Sequence, residues 1–185
     1  MKIEIHNRVS DFSSYRAARV KSLFNAESGC NFDFEVDADL SGDWQIVVSA
    51  HSHWMISDAV LSKARHGGIG YHPSLLPRHR GQDAVRWQVH MGDPVVGGTI
   101  YRLGPVCDGG DVLLQRWRFR DPSWSHHDLW RELFPEGVRM VREAVDLIAA
   151  GRDGPLWREQ DERFATWEPS WDRPRLRRND LMMLE

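Results

Sequence analysis

The run Trp44-Gln-Ile-Val-Val-Ser49 most constrains what this chain can become. It is too short for a helix and too apolar for a strand with one wet face. It reads as a strand buried on both sides, the kind found in a parallel sheet covered by helices. The flanking segments agree. Residues 2–6 (Lys-Ile-Glu-Ile-His) and 31–36 (Asn-Phe-Asp-Phe-Glu-Val) alternate like strands. Between them a helix is expected from Ser13 or Ser14 through Tyr15, Ala18, Leu23 and Phe24, stopped by Gly29. Ser57 to Arg65 reads as a helix capped by Ser57, and Ile69 to His72 as the next buried strand. A helix follows from Arg80 or Gln82 to Met91, ended by Gly92, and then strands at 96–103 and 111–119 around Gly109-Gly110. Leu129, Leu133, Val138, Val141, Val145 and Ile148 recur at helical spacing from Ser125 to Gly151, with Pro135 expected to break or kink that helix. Strands alternating with helices predict an α/β fold of three layers around a mostly parallel sheet.

The chain has 185 residues, a size suited to one core. Residues 1–151 are expected to form the domain. Residues 152–185, rich in Trp, Pro and Arg and without periodicity, are expected to form an extended arm packed on it. With 41% hydrophobic and 28% charged residues, wholesale disorder is excluded. No apolar run approaches the ~20 residues of a membrane span, and Met1 to His6 is unlike a signal peptide, so the expectation is a cytoplasmic protein with no membrane partner. The net charge of −3 argues against a nucleic-acid partner. Cys30 and Cys107 stand alone, and His51 with His53 lacks a third ligand, so no metal is expected. Residues 7–14 carry no Gly-x-Gly-x-x-Gly, which argues against a dinucleotide.

The chemistry-bearing residues lie between Gly70 and Gln115. His72 follows a buried strand and precedes irregular backbone, His72-Pro-Ser-Leu-Leu-Pro-Arg-His-Arg-Gly81. Carboxyl ends of strands are where α/β folds place ligands. Downstream, Asp108-Gly-Gly-Asp is an acid in a glycine-rich loop, which can approach another loop closely. A histidine and an aspartate brought together can polarise a carbonyl and move protons near neutral pH.

These blocks, with Gly98-Thr-Ile-Tyr between them and Asp108-Gly-Gly-Asp-Val-Leu-Leu-Gln115 at the end, resemble the folate-dependent formyltransferase family over residues 67–117. The resemblance implies a Rossmann-like formyltransferase fold, with His72 as catalytic histidine and Asp108 as catalytic aspartate. It implies 10-formyltetrahydrofolate as co-substrate, its pterin lying near segment 103–108 and the loop after the Ile46-Val47-Val48 strand. Ser49, His51, Leu103, Gly104, Val106 and Cys107 are then candidate folate-binding residues. Ser74, Arg78, Arg80 and Gly81 are candidates for binding the acceptor, a small amine such as an amino sugar or amino-acid derivative. A homodimer is compatible with this reading.

One position departs from the family pattern. The pattern is Asn-x-His, and the Asn position here is Gly70, which has no side chain to donate to an oxyanion. Ser49, His51, Ser52 and His53 are the candidate replacements by fold logic. Two alternatives therefore stay open: a folate-binding domain with little or no transferase activity, and a formyltetrahydrofolate hydrolase that uses water as acceptor.

Overall fold

The computed structural model describes residues 3–6, 34–35, 46–50 and 55–171. The helix expected between Ser13 and Gly29 lies outside the described residues, as do Cys30, His51, Ser52 and His53.

Six strands form one sheet: β1 (Ile3–His6), β2 (Phe34–Glu35), β3 (Ile46–Ala50), β4 (Gly68–His72), β5 (Val95–Arg102) and β6 (Val112–Phe119). Their order across the sheet is β2-β1-β3-β4-β5-β6. The first four pair in parallel. β5 and β6 are antiparallel to their neighbours, so the sheet is mostly but not wholly parallel. Among the described residues, three α-helices accompany it: α1 (Asp58–Leu61), α2 (Ala84–His90) and α3 (His126–Ala149).

Strand alternation sends side chains to two different layers. From β3, β4 and β5, Ile46, Val48, Ile69, Tyr71 and Ile100 pack on Val138, Met140, Val141, Ala144, Val145 and Ile148 of α3. Each fully buried aliphatic side chain in that layer contributes about 1.5–3 kcal/mol relative to exposure. The opposite face carries Val47, which packs with Ile56, Leu61 and Ala64 around α1. On that second face the register aligns Ser49, Gly70 and Tyr101 in one row across β3, β4 and β5. His72, two residues beyond Gly70, points the same way.

Tyr71 shows why glycine recurs on the α3 side. A Cβ on Gly98 or on Gly137 would stand 2.6 Å or less from its ring. The ring lies between those two backbones, and its hydroxyl donates to the Leu133 carbonyl at 3.2 Å.

The break or kink expected at Pro135 does not interrupt the chain: α3 runs through it to Ala149. Proline removes one ladder hydrogen bond. The apolar stripe nevertheless continues on both sides, with Leu129 and Leu133 before it and Val138, Val141 and Val145 after it. Tertiary packing on that stripe outweighs one lost bond. The helix starts on a reciprocal cap: the Asp128 N–H donates to Ser125 Oγ, and the Ser125 N–H donates to Asp128 Oδ2.

The described part of the C-terminal arm, through residue 171, lies against the domain. Arg158 and Val112 exchange two main-chain hydrogen bonds, at 2.7 and 2.8 Å. Further on, the Arg80 N–H donates to the Thr166 carbonyl, and the Thr166 N–H donates to the Pro77 carbonyl.

Candidate active site

His72 ends β4 with its side chain buried. Its Nε2 lies 2.6 Å from the main-chain carbonyl of His79. A carbonyl only accepts, so Nε2 carries the hydrogen and donates it. The other ring nitrogen, Nδ1, faces Asp108 Oδ2 at 3.5 Å.

The loop that supplies the His79 carbonyl is held at nearly every polar group. Ser74 Oγ donates to the Arg78 carbonyl at 2.6 Å. Thr99 Oγ1 donates to the Ser74 carbonyl, and Gln88 Nε2 to the Pro73 carbonyl, both at 2.7 Å. Gln115 Nε2 donates to the Leu76 carbonyl. Buried backbone groups require such partners, and here β5, β6 and α2 provide them.

Asp108 adopts a left-handed backbone conformation, φ 51°, in the turn between β5 and β6. The turn comes close to the strand it leaves: a Cβ on Gly110 would stand 1.9 Å from the Arg102 carbonyl oxygen. Only glycine fits there. Asp108 Oδ2 accepts the Gly81 N–H at 2.7 Å, and Oδ1 accepts the Tyr101 hydroxyl at 2.6 Å. Its main-chain carbonyl accepts Gln160 Nε2 at 2.9 Å, and the same amide donates to the Gly110 carbonyl at 2.6 Å. The carboxylate is thus oriented at both oxygens and at its backbone. Burial, and then the nearby Asp108, push the Tyr101 hydroxyl well above its ordinary ionisation range, so it remains a donor. The same two causes push the Cys107 thiol up, away from thiolate chemistry.

The candidate residues fall into three groups. His72, Asp108 and Gly81 are brought together. Ser49 lies on the same face, opposite Gly70, and Leu103 packs against the Val47 cluster nearby. Gly104, Val106 and Cys107 line the turn that leads to Asp108. Of the three residues expected on the acceptor side, Ser74 and Arg80 are buried and bonded within the protein, whereas the Arg78 side chain is 45% exposed. Ser74 is wholly buried, with its hydroxyl given to a carbonyl. Arg78 Nη2 pairs with Asp93 Oδ1 at 2.8 Å. Arg80 has no exposure at all, and its guanidinium binds Gln160 Oε1 and Glu162. An enclosed guanidinium that is already paired cannot meet an anionic ligand. The motif spacing carried no sign of these internal partners.

Beside the pair, the His79 ring is buried between two carboxylates. Its Nε2 lies 2.7 Å from Asp93 Oδ2. Its Nδ1 lies 3.1 Å from Glu168 Oε1, out of line for a hydrogen bond. Among the described residues, no group of three His, Cys, Asp or Glu side chains converges to hold a metal ion. None of the described helices is long and apolar enough to cross a membrane.

Sequence reasoning missed Tyr101 and Gln160. Tyr101 had only a partial signal: it closes the Gly98-Thr-Ile-Tyr block, but its place opposite Gly70 follows from strand register. Gln160 had none, because it lies in aperiodic chain.

Fold and site together define an α/β domain with a buried His–Asp pair at the end of a central strand. The chain belongs to the formyl transferase family, whose profile matches residues 15–124. It is 41% identical over 125 residues to the mitochondrial 10-formyltetrahydrofolate dehydrogenase of Mus musculus, an alignment covering 62% of this chain and 13% of that protein. The match therefore spans about one-eighth of the length of that relative. Among solved structures it is similar to HypX from Aquifex aeolicus in complex with tetrahydrofolic acid, at TM-score 0.72 and 21% identity, over 91% of this chain and 29% of that one. It is also similar to the formyltransferase PseJ from Anoxybacillus kamchatkensis in complex with a formamido UDP-sugar and tetrahydrofolate, at TM-score 0.67 and 16% identity, over 91% of this chain and 85% of that one. These likenesses confirm the expected fold.

Proposed function

We propose that this chain transfers a formyl group from 10-formyltetrahydrofolate to the amine of a small acceptor, an amino sugar or amino-acid derivative. The observation that carries the reading is the buried pair, His72 Nδ1 facing Asp108 Oδ2, in a member of the formyl transferase family. The ligands named for HypX and PseJ support the folate donor, and the UDP-sugar of PseJ supports an amino-sugar acceptor.

The donor set suits this chemistry. 10-Formyltetrahydrofolate supplies an activated formyl carbon when bound. His72 has one nitrogen fixed on the His79 carbonyl and one turned to the carboxylate. Protonated, its Nδ1–H stabilises negative charge developing on a formyl oxygen. Asp108 stabilises that imidazolium and takes up the proton that the attacking amine loses, directly or through water. The proton then passes to the folate nitrogen as the carbon–nitrogen bond to it breaks, so no net proton is consumed. Ser49, His51, Leu103, Gly104, Val106 and Cys107 are proposed to border the folate, with the acceptor entering beside Gly81.

Mixing the protein with 10-formyltetrahydrofolate and following tetrahydrofolate release, with and without pooled amines, tests the reading. Amine-dependent release supports transfer. Release without amine identifies a hydrolase. Binding with no release in any pool sinks the enzymatic reading in favour of a folate-binding module.

A further inference from the structure

Gly70 and Tyr101 face each other across the antiparallel β4–β5 pair. A Cβ placed on Gly70 would stand 2.5 Å from Tyr101 Cε1 and 2.7 Å from its hydroxyl oxygen. Such separations are not tolerated, so the ring lies on the backbone of residue 70 in the space that a side chain there would need. From that position the hydroxyl reaches Asp108 Oδ1 at 2.6 Å.

We infer that Tyr101 is a positioning residue of this site: its ring replaces a side chain at residue 70, and its hydroxyl fixes the Asp108 carboxylate toward His72. The inference rests on the reading that His72 and Asp108 form the working pair. The geometry separates this role from plain core packing. A buried phenol needs some acceptor, and many carbonyls would serve. Here the acceptor is the carboxylate that faces the histidine. Its two oxygens have separate anchors, the Gly81 N–H on Oδ2 and the Tyr101 hydroxyl on Oδ1. With the Tyr101 hydroxyl gone, the carboxylate is held only through Oδ2, by the Gly81 N–H and the Cys107 thiol, so its plane can turn about the Cβ–Cγ bond and the approach of Oδ2 to Nδ1 is less tightly set. Burial keeps the proton on the tyrosine oxygen, so the donor persists at any working pH.

The two residues are coupled. Gly70 admits the ring, and the ring supplies the group that holds Asp108. Changing either one should therefore produce the same defect.

The test is Tyr101→Phe, which keeps the ring over Gly70 and deletes only the hydroxyl. The expected result is a fall in kcat of about ten- to a hundred-fold, the range for loss of a hydrogen bond to a charged group. KM for 10-formyltetrahydrofolate should change little. Gly70→Ala keeps the hydroxyl but displaces the ring, and should lower kcat in the same way. The double variant should be little worse than either single one, as expected for residues acting as a unit. A readout without substrate runs alongside: the ring 1H–15N NMR signals of His72 should change in both single variants. If wild-type protein releases no tetrahydrofolate, the proposed function fails, and the His72 signals then decide this inference alone. Wild-type rate in Tyr101→Phe overturns it. So does a lost rate with unmoved His72 signals. Should Tyr101→Phe fail to fold, Gly70→Ala is read by the same criteria.

Discussion

The Nε2–H of His72 donates to the main-chain carbonyl of His79 at 2.6 Å. That one bond sets the tautomer of the ring and leaves Nδ1 facing Asp108. It also makes the loop from Ser74 to Gly81 part of the site, because the carbonyl must stay in place. The C-terminal arm assists: Thr166 Oγ1 accepts the His79 N–H at 2.8 Å.

His72→Ala and Asp108→Ala should each lower the rate of tetrahydrofolate release by about a hundred- to a thousand-fold, the size expected when one preorganised electrostatic group is removed. Circular dichroism should show both variants folded. Wild-type turnover in either variant would sink its assigned role.

Gln160→Ala should destabilise the domain and slow it together. The amide serves Arg80, the Asp108 carbonyl and the Gly110 carbonyl. Its loss leaves buried groups short of partners, costing roughly 1–3 kcal/mol. A lower urea midpoint is the measurement. An unchanged midpoint would mean that the arm does not brace the catalytic turn.

Asp93 makes acid sensitivity local. Burial raises its carboxyl pKa, but hydrogen bonds from Arg78 and His79 and their charges outweigh this and hold it below its ordinary 3.8. The folded value is the lower one. The carboxylate's contribution is therefore complete above 3.8 and is lost as pH falls through the depressed folded value. Asp93→Asn should be less stable than wild type by roughly 2 kcal/mol near neutrality, the scale of a charged hydrogen bond. Urea midpoints of the two proteins should converge as pH drops below 3.8. A gap that stays constant with pH would refute the assignment.

Ser125→Ala removes one half of the cap on α3. The expected loss is about 1 kcal/mol, read as a fall in Tm of roughly 2–4 °C for a chain of this size. Asp128→Ala should give a loss in the same direction, because the two side chains bond reciprocally. A wild-type Tm in both variants would show that the cap is idle.

Local pattern was enough for the framework. The apolar run ending at Ser49 became β3, the one ending at His72 became β4, and the stripe from Leu129 to Ile148 became α3. The break allowed for at Pro135 does not occur, because the buried face spans that position and outweighs one lost backbone bond. The candidate pair, His72 and Asp108, was visible because its two blocks are each contiguous. Arg80 was not legible: a charged residue beside His79 reads as surface, and only the arm's Gln160 and Glu162 turn it into an internal strut.

The amino-acid order alone pointed to β3 and β4 as strands buried on both faces and to His72 and Asp108 as the candidates for the chemistry, because those properties reside in periodicity and in short motifs. Tertiary structure decided what stands over Gly70, what holds each oxygen of Asp108, and where the guanidinium of Arg80 goes. Those outcomes depend on strand register and on contacts between residues dozens of positions apart, and no local pattern encodes them.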